Sequence, residues 1–86
     1  MTIQAALVRE QQITFAVVVV RRGIIDNQQE AAQTAAAFSP AFNRVPVVLM
    51  EQDSRGTPRY FGRTDIARFL ANIDFRRLPW KNWNLN

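Results

Sequence analysis

Two residue types are missing from this chain altogether. It has no cysteine, which excludes disulfide staples, thiolate metal sites and thiol chemistry. It has no histidine either, and with histidine go the commonest general base, the commonest neutral-pH proton switch and the commonest metal ligand. Glycine and proline are sparse, 3 and 4 residues, and no run of them divides the 86-residue chain. Long apolar runs are absent too: Phe15 to Val20 falls far short of the ~18 residues a membrane span needs, so no membrane partner is expected. No basic start leads into a hydrophobic stretch with a cleavage site, and the expected compartment is the cytoplasm.

These absences narrow the chemistry. Without His and Cys only oxygen ligands remain for a metal, and the closest cluster, Glu51-Gln52-Asp53, lacks the loop spacing of a calcium hand. It reads as a solvated turn flank, and neither a metal nor a cofactor is expected. Ser39 precedes a proline at a helix end and Ser54 lies in a hairpin tip, and neither has a base close by in sequence. No catalytic residue can be named, so the chain is not read as an enzyme.

What is present is the composition of one globular domain spanning residues 1–86: 48% hydrophobic and 21% charged residues. A chain this short buries only about 60–65% of its unfolded surface, so most apolar residues are needed for the fold. The net charge is +4. In residues 1–43 Arg9, Arg21 and Arg22 are cancelled by Glu10, Asp26 and Glu30. The excess therefore lies in residues 44–86, and a basic half of this kind suits a partner with phosphates or carboxylates.

Local patterns order the elements. Residues 3–11 (IQAALVREQ) are good helix formers with Thr2 available as a cap, which predicts a short helix. Residues 13–20 (ITFAVVVV) predict a strand apolar on both faces, central in a parallel sheet, with Arg21 and Arg22 as gatekeepers behind it. Residues 26–38 predict a helix capped by Asp26 and stopped by Ser39-Pro40, with alanines forming a face that can lie close on a sheet. Residues 45–51 (VPVVLME) predict a second buried strand. Asp53-Ser54-Arg55-Gly56 turns the chain, and Arg59-Tyr60-Phe61 returns as an antiparallel edge strand. Thr64 caps a last helix over about 65–73, with Ile66, Phe69, Leu70 and Ile73 on one stripe. The expected fold is a small two-layer α/β domain of order (α)βαββα, with a mixed three-stranded sheet and two packed helices. Residues 74–86 follow as an aromatic and basic tail with neither period.

Three groups of residues are candidates for function. Tyr60 and Phe61 on the edge strand, with Phe75, Leu78, Trp80 and Trp83 of the tail, form apolar area that a small core cannot cover, which points to self-association and a homo-oligomer. Arg55, Arg59, Arg63, Arg76, Arg77 and Lys81, interleaved with Trp80 and Trp83, form the alternative, a single-stranded nucleic-acid surface of cations and stacking rings. Arg21-Arg22-Gly23 lies beyond the first central strand and before a helix N-terminus, where a small anion could bind.

The stretch Arg44 to Ile73, with VPVVLM, a hairpin and FGRTDIARFL, resembles the second half of thioredoxin-fold domains of the glutaredoxin and glutathione-transferase kind. That resemblance implies a thioredoxin-like fold, a cis peptide bond before Pro46, and Thr64-Asp65 at the place that holds the γ-glutamyl end of glutathione. With Arg21, Arg22, Arg44 and Thr64 it implies a binder of a small anionic ligand, and with no cysteine it implies no redox activity. More loosely, the whole chain resembles small bacterial proteins of the mobile gene-cassette type, a likeness that implies no activity. The leading expectation is a non-enzymatic, self-associating interaction module.

Overall fold

The structure, a computed structural model, describes residues 1–10 and 12–85. Five strands and two helices follow one another as β1 (Thr2–Glu10), β2 (Ile13–Val19), α1 (Gln28–Phe38), β3 (Val47–Gln52), β4 (Pro58–Phe61), α2 (Thr64–Ala71) and β5 (Trp80–Asn84). They make one mixed sheet of order β4-β3-β2-β1-β5. The α/β class and the parallel pairing of the two apolar strands through a helix are as the sequence implies: β2 and β3 run parallel, Val18 opposite Leu49, while β4 returns antiparallel to β3.

The sheet has five strands rather than three because both termini join it. Residues 3–10 are not helical. Their helix-favouring composition is overridden by two flanking strands: Leu7 pairs with Ala16 on one side, and Ala5 pairs with Lys81 on the other. Ala5 and Ala6 are fully buried, pointing to opposite faces as strand alternation requires. The described part of the tail, residues 74–85, is likewise ordered, as a 3₁₀ turn (Phe75–Arg77) and then β5.

Nor are there two layers. Residues alternate between two cores, one on each face of the sheet. Ile3, Ala5, Ala16, Val18 and Leu49 pack under Ala31 and Phe38 of α1. Ala6, Val8, Phe15, Val17, Val48 and Met50 pack under Ile66 and Leu70 of α2. The molecule is a three-layer α/β/α sandwich, and that is why β2 lacks polar alternation: Phe15, Ala16, Val17 and Val18 are all buried.

The helix ends differ in detail from the sequence reading. Asn27, not Asp26, caps α1, its Oδ1 accepting from the Glu30 N–H at 3.1 Å. α1 does end at Phe38, but Pro40 sits in the first turn of a 3₁₀ segment, Ser39–Phe42, which carries Phe42 under the sheet. Thr64 lies inside α2, and Arg63 holds the cap position, its guanidinium bonded to Asp65 at 2.7 Å. Among the described residues every peptide bond is trans, including that before Pro46. Gly62 joins β4 to α2 across the back of β3: a Cβ there would lie 2.8 Å from Val48 Cγ2 and 3.1 Å from its Cα, so no larger residue fits. No helix among the described residues is long and apolar enough to cross a membrane.

Candidate functional site

The tail is held by its own polar atoms before it becomes a strand. Asp74 Oδ1 accepts from the Arg76 N–H at 3.0 Å, and the Arg76 guanidinium folds back on the same carboxylate. Trp80 then donates its indole N–H to the Phe75 carbonyl at 2.8 Å and packs on the α2 side. Trp83, on the α1 side, donates to the Ala5 carbonyl at 3.1 Å and meets Phe42 edge to face, centroids 4.9 Å apart. Each indole thus covers a core while its polar atom is satisfied.

β5 ends the sheet, and its register decides what it offers there. Leu85 and Met1 exchange hydrogen bonds, the Leu85 N–H to the Met1 carbonyl at 2.7 Å and the Met1 ammonium to the Leu85 carbonyl at 3.0 Å. By antiparallel alternation the next bonded pairs are Trp83 with Ile3 and Lys81 with Ala5. The N–H and C=O groups of Asn82 and Asn84 therefore point away from the sheet. Beside this edge, on the α1 face, Leu7 is 43% exposed, and Leu7, Pro79, Lys81 and Trp83 line a hollow of about 190 Å³. α1 covers the neighbouring strands and leaves this corner open.

The residues expected to self-associate do not form one patch. Phe75, Leu78 and Trp80 lie together on the α2 face, whereas Trp83 lies on the α1 face. Tyr60 and Phe61 sit on β4 at the opposite edge, four strand spacings or roughly 19 Å from β5. Tyr60 and Phe75 share a cleft of about 670 Å³, which also takes in Arg55, Arg76 and Thr57. The Tyr60 hydroxyl is buried without a hydrogen-bond partner, and burial raises its pKa above the ordinary value.

The cations are dispersed and in part already engaged. Arg59 bonds Asp26 at 2.9 Å, and its pKa is raised chiefly by that contact. Arg63 holds Asp65, and Arg76 holds Asp74, each carboxyl lowered below the usual range first of all by its arginine. Arg55 follows Asp53 in the hairpin, where the Thr57 and Arg55 N–H groups lower the Asp53 carboxyl. Arg77 borders a hollow with Val8, Glu10 and Leu78, and Lys81 stands beside Trp83. The two indole N–H groups are already committed to backbone carbonyls.

The residues of the anion reading are divided too. Arg21 and Arg22 follow the C-terminal end of β2, while Arg44 precedes β3 and Thr64 opens α2, at the other end of the sheet. Arg44 instead shares a hollow with Arg63. The position beyond β2 is filled by the protein's own carboxylate. Glu51, read as a solvated turn flank, is 1% exposed and faces the loop between β2 and α1. Its Oε1 accepts from the Ile25 N–H at 3.0 Å and the Gly23 N–H at 3.3 Å, and its Oε2 lies 3.4 Å from Arg59 Nη1. Gly23 adopts φ +104°, which only glycine takes readily, and so presents its N–H inward. An anion cradle of backbone donors is therefore built here and closed by Glu51. The signal available in the sequence was a lone acid near the end of an otherwise apolar strand. Asp53, exposed in the turn, obscured it by suggesting a common solvated segment. Among the described residues no three acidic side chains gather as a metal site.

Compared with family models, curated proteins and solved structures, the chain finds no match. Its own geometry is the basis for a functional reading.

Proposed function

We propose that this chain is a small, non-enzymatic α/β interaction module that binds a second copy of itself through the β5 edge. One observation carries the reading: the sheet stops at a strand whose Asn82 and Asn84 backbone groups face outward, next to the open Leu7, Pro79, Lys81 and Trp83 corner. An edge of this kind is a template for another strand, and half-exposed apolar surface alongside it favours covering. Of the six residues named from sequence, Trp83 lies at this interface and Trp80 borders it. Phe75 and Leu78 support it from beneath, while Tyr60 and Phe61 serve the opposite edge.

Sedimentation velocity across a concentration series tests the proposal. A concentration-dependent shift from monomer to dimer is expected, and a monomer at every concentration would remove it. A second reading, binding of single-stranded nucleic acid, is favoured by the cleft in which Arg55 and Arg76 flank the Tyr60 and Phe75 rings. It requires oligonucleotide binding at low salt that weakens by a decade or more between ~50 and 200 mM, as several phosphate contacts would demand.

A further inference from the structure

We infer that two copies pair β5 against β5 antiparallel about a two-fold axis at Asn82, which sets Lys81 of each copy against the indole of the partner subunit's Trp83. The inference rests on self-association through β5 and specifies its register.

Three two-fold registers set at least two outward residues of β5 against outward residues of a second β5. An axis at Lys81 places the two lysines directly opposite each other, a like-charge pair that destabilises a sheet. An axis at Trp83 stacks the two tryptophans, but it sets each ammonium against Leu85 and leaves Trp80 beyond the overlap. An axis at Asn82 overlaps the whole of β5, from Trp80 to Asn84. The two Asn82 residues then exchange both N–H···O bonds, and each Asn84 N–H meets the outward carbonyl of the partner subunit's Trp80. The Trp80 N–H is already satisfied by the Leu78 carbonyl at 2.8 Å, so the pairing leaves no donor stranded at that end.

Side chains decide in favour of this register. Lys81 and Trp83 lie one residue to either side of the axis, so the two-fold exchanges them across the interface. Because their own backbone groups point to β1, they form non-hydrogen-bonded cross-strand pairs, the class with the closest side chains, Cα atoms about 4.5 Å apart. Lys81 is exposed and makes no ion pair among the described residues, so its ammonium is available to the ring. Its aliphatic stem lines the hollow beside Leu7. The same contact is made twice, as an isologous interface requires.

The absence of cysteine makes the register directly readable. In the inferred pairing the two Asn82 Cα atoms are about 5.5 Å apart, within disulfide reach. The two Asn84 residues are four positions out of register, roughly 13 Å apart. Asn82→Cys and Asn84→Cys, both at exposed positions, are compared under mild oxidation at the concentration where the unmodified chain is dimeric, with folding checked by circular dichroism. Rapid covalent dimer from Asn82→Cys but not from Asn84→Cys is the expected result, together with about tenfold weaker dimerisation of Lys81→Ala. A dimer by sedimentation whose Asn82→Cys variant does not cross-link, or whose Asn84→Cys variant cross-links instead, overturns the register and leaves self-association standing. A chain that is monomeric throughout overturns both.

Discussion

At one edge of the sheet β4 presents four residues and at the other β5 presents five, yet what they show to solvent differs in kind. On β4 the residues whose backbones face outward are Pro58 and Tyr60, since Glu51 with Arg59 and Leu49 with Phe61 are the bonded pairs. Pro58 has no N–H, so a neighbouring strand would find a single donor there. The strand is also fastened from behind, by Arg59 to Glu51 and Asp26 and by the close passage of Gly62 over Val48. β5 has no proline and, among the described residues, no fastening ion pair, and its two asparagines offer complete sets of donors and acceptors. A short strand with a missing donor is protected against further pairing, and a regular one without that protection is where pairing is expected.

The contrast can be tested from the β4 side first. Glu51→Ala should cost the most, about 3 kcal/mol by chemical denaturation, because it strands the buried Ile25 N–H and the part-buried Gly23 N–H and removes the inner partner of Arg59. Glu51→Gln, which keeps an acceptor oxygen, should recover part of the loss, and a cost below about 1 kcal/mol for the alanine variant would show that the carboxylate does not hold the loop. Trp83→Ala comes next, at about 2–3 kcal/mol for a half-buried indole packed on Phe42. It should also release β5, read as faster hydrogen exchange at Ile3 and Ala5 while β3 and β4 stay protected.

Gly62→Ala should cost about 2 kcal/mol through the Val48 overlap yet leave self-association unchanged, since it acts at the opposite edge. Loss of the dimer in that variant would erase the distinction between the edges. Tyr60→Phe should raise stability by up to about 1 kcal/mol, because it removes a buried hydroxyl that has no partner. Acidification should have the smallest effect. Asp53 is lowered by the hairpin N–H groups, so its contribution is present above about pH 4 and is lost as pH falls through its depressed value. The hairpin before β4 should then loosen, seen as shifts of the Arg55 and Thr57 amides, and the Asp74–Arg76 turn ahead of β5 should loosen in the same direction, whereas β5 itself contains no acid to titrate.

Much of the fold was legible because some segments carry one period strongly. The β-branched run of β2, the Val47–Met50 run of β3, the Asp53–Gly56 turn and the Ile66, Phe69 and Leu70 stripe of α2 each carry one pattern strongly, whereas Ile73, read into the same helix, lies two residues beyond its end at Ala71. β1 was not legible. Its alanines, leucine and arginine favour a helix in isolation, and only pairing on both sides makes them strand. β5 was hidden for the complementary reason: Trp80-Lys81-Asn82-Trp83-Asn84 has weak strand propensity, and its place was prepared by β1. The β5 half of the candidate site was legible as aromatic composition in the tail, though not as a surface, because the register assigns Trp80 and Trp83 to opposite faces.

By itself, then, the sequence determined which side-chain chemistries are missing, the parallel β2–α1–β3 core and the need to use most of its apolar residues in so small a domain. The tertiary structure alone decided that both termini add strands and that the helices take opposite faces. It alone also closed the anion cradle with Glu51. The physical reason is common to all three. Local propensity sets how a segment folds when its own period is strong. Where it is weak, hydrogen-bond partners far along the chain make the choice, as they do for Ala5 against Lys81 and for Glu51 against Ile25.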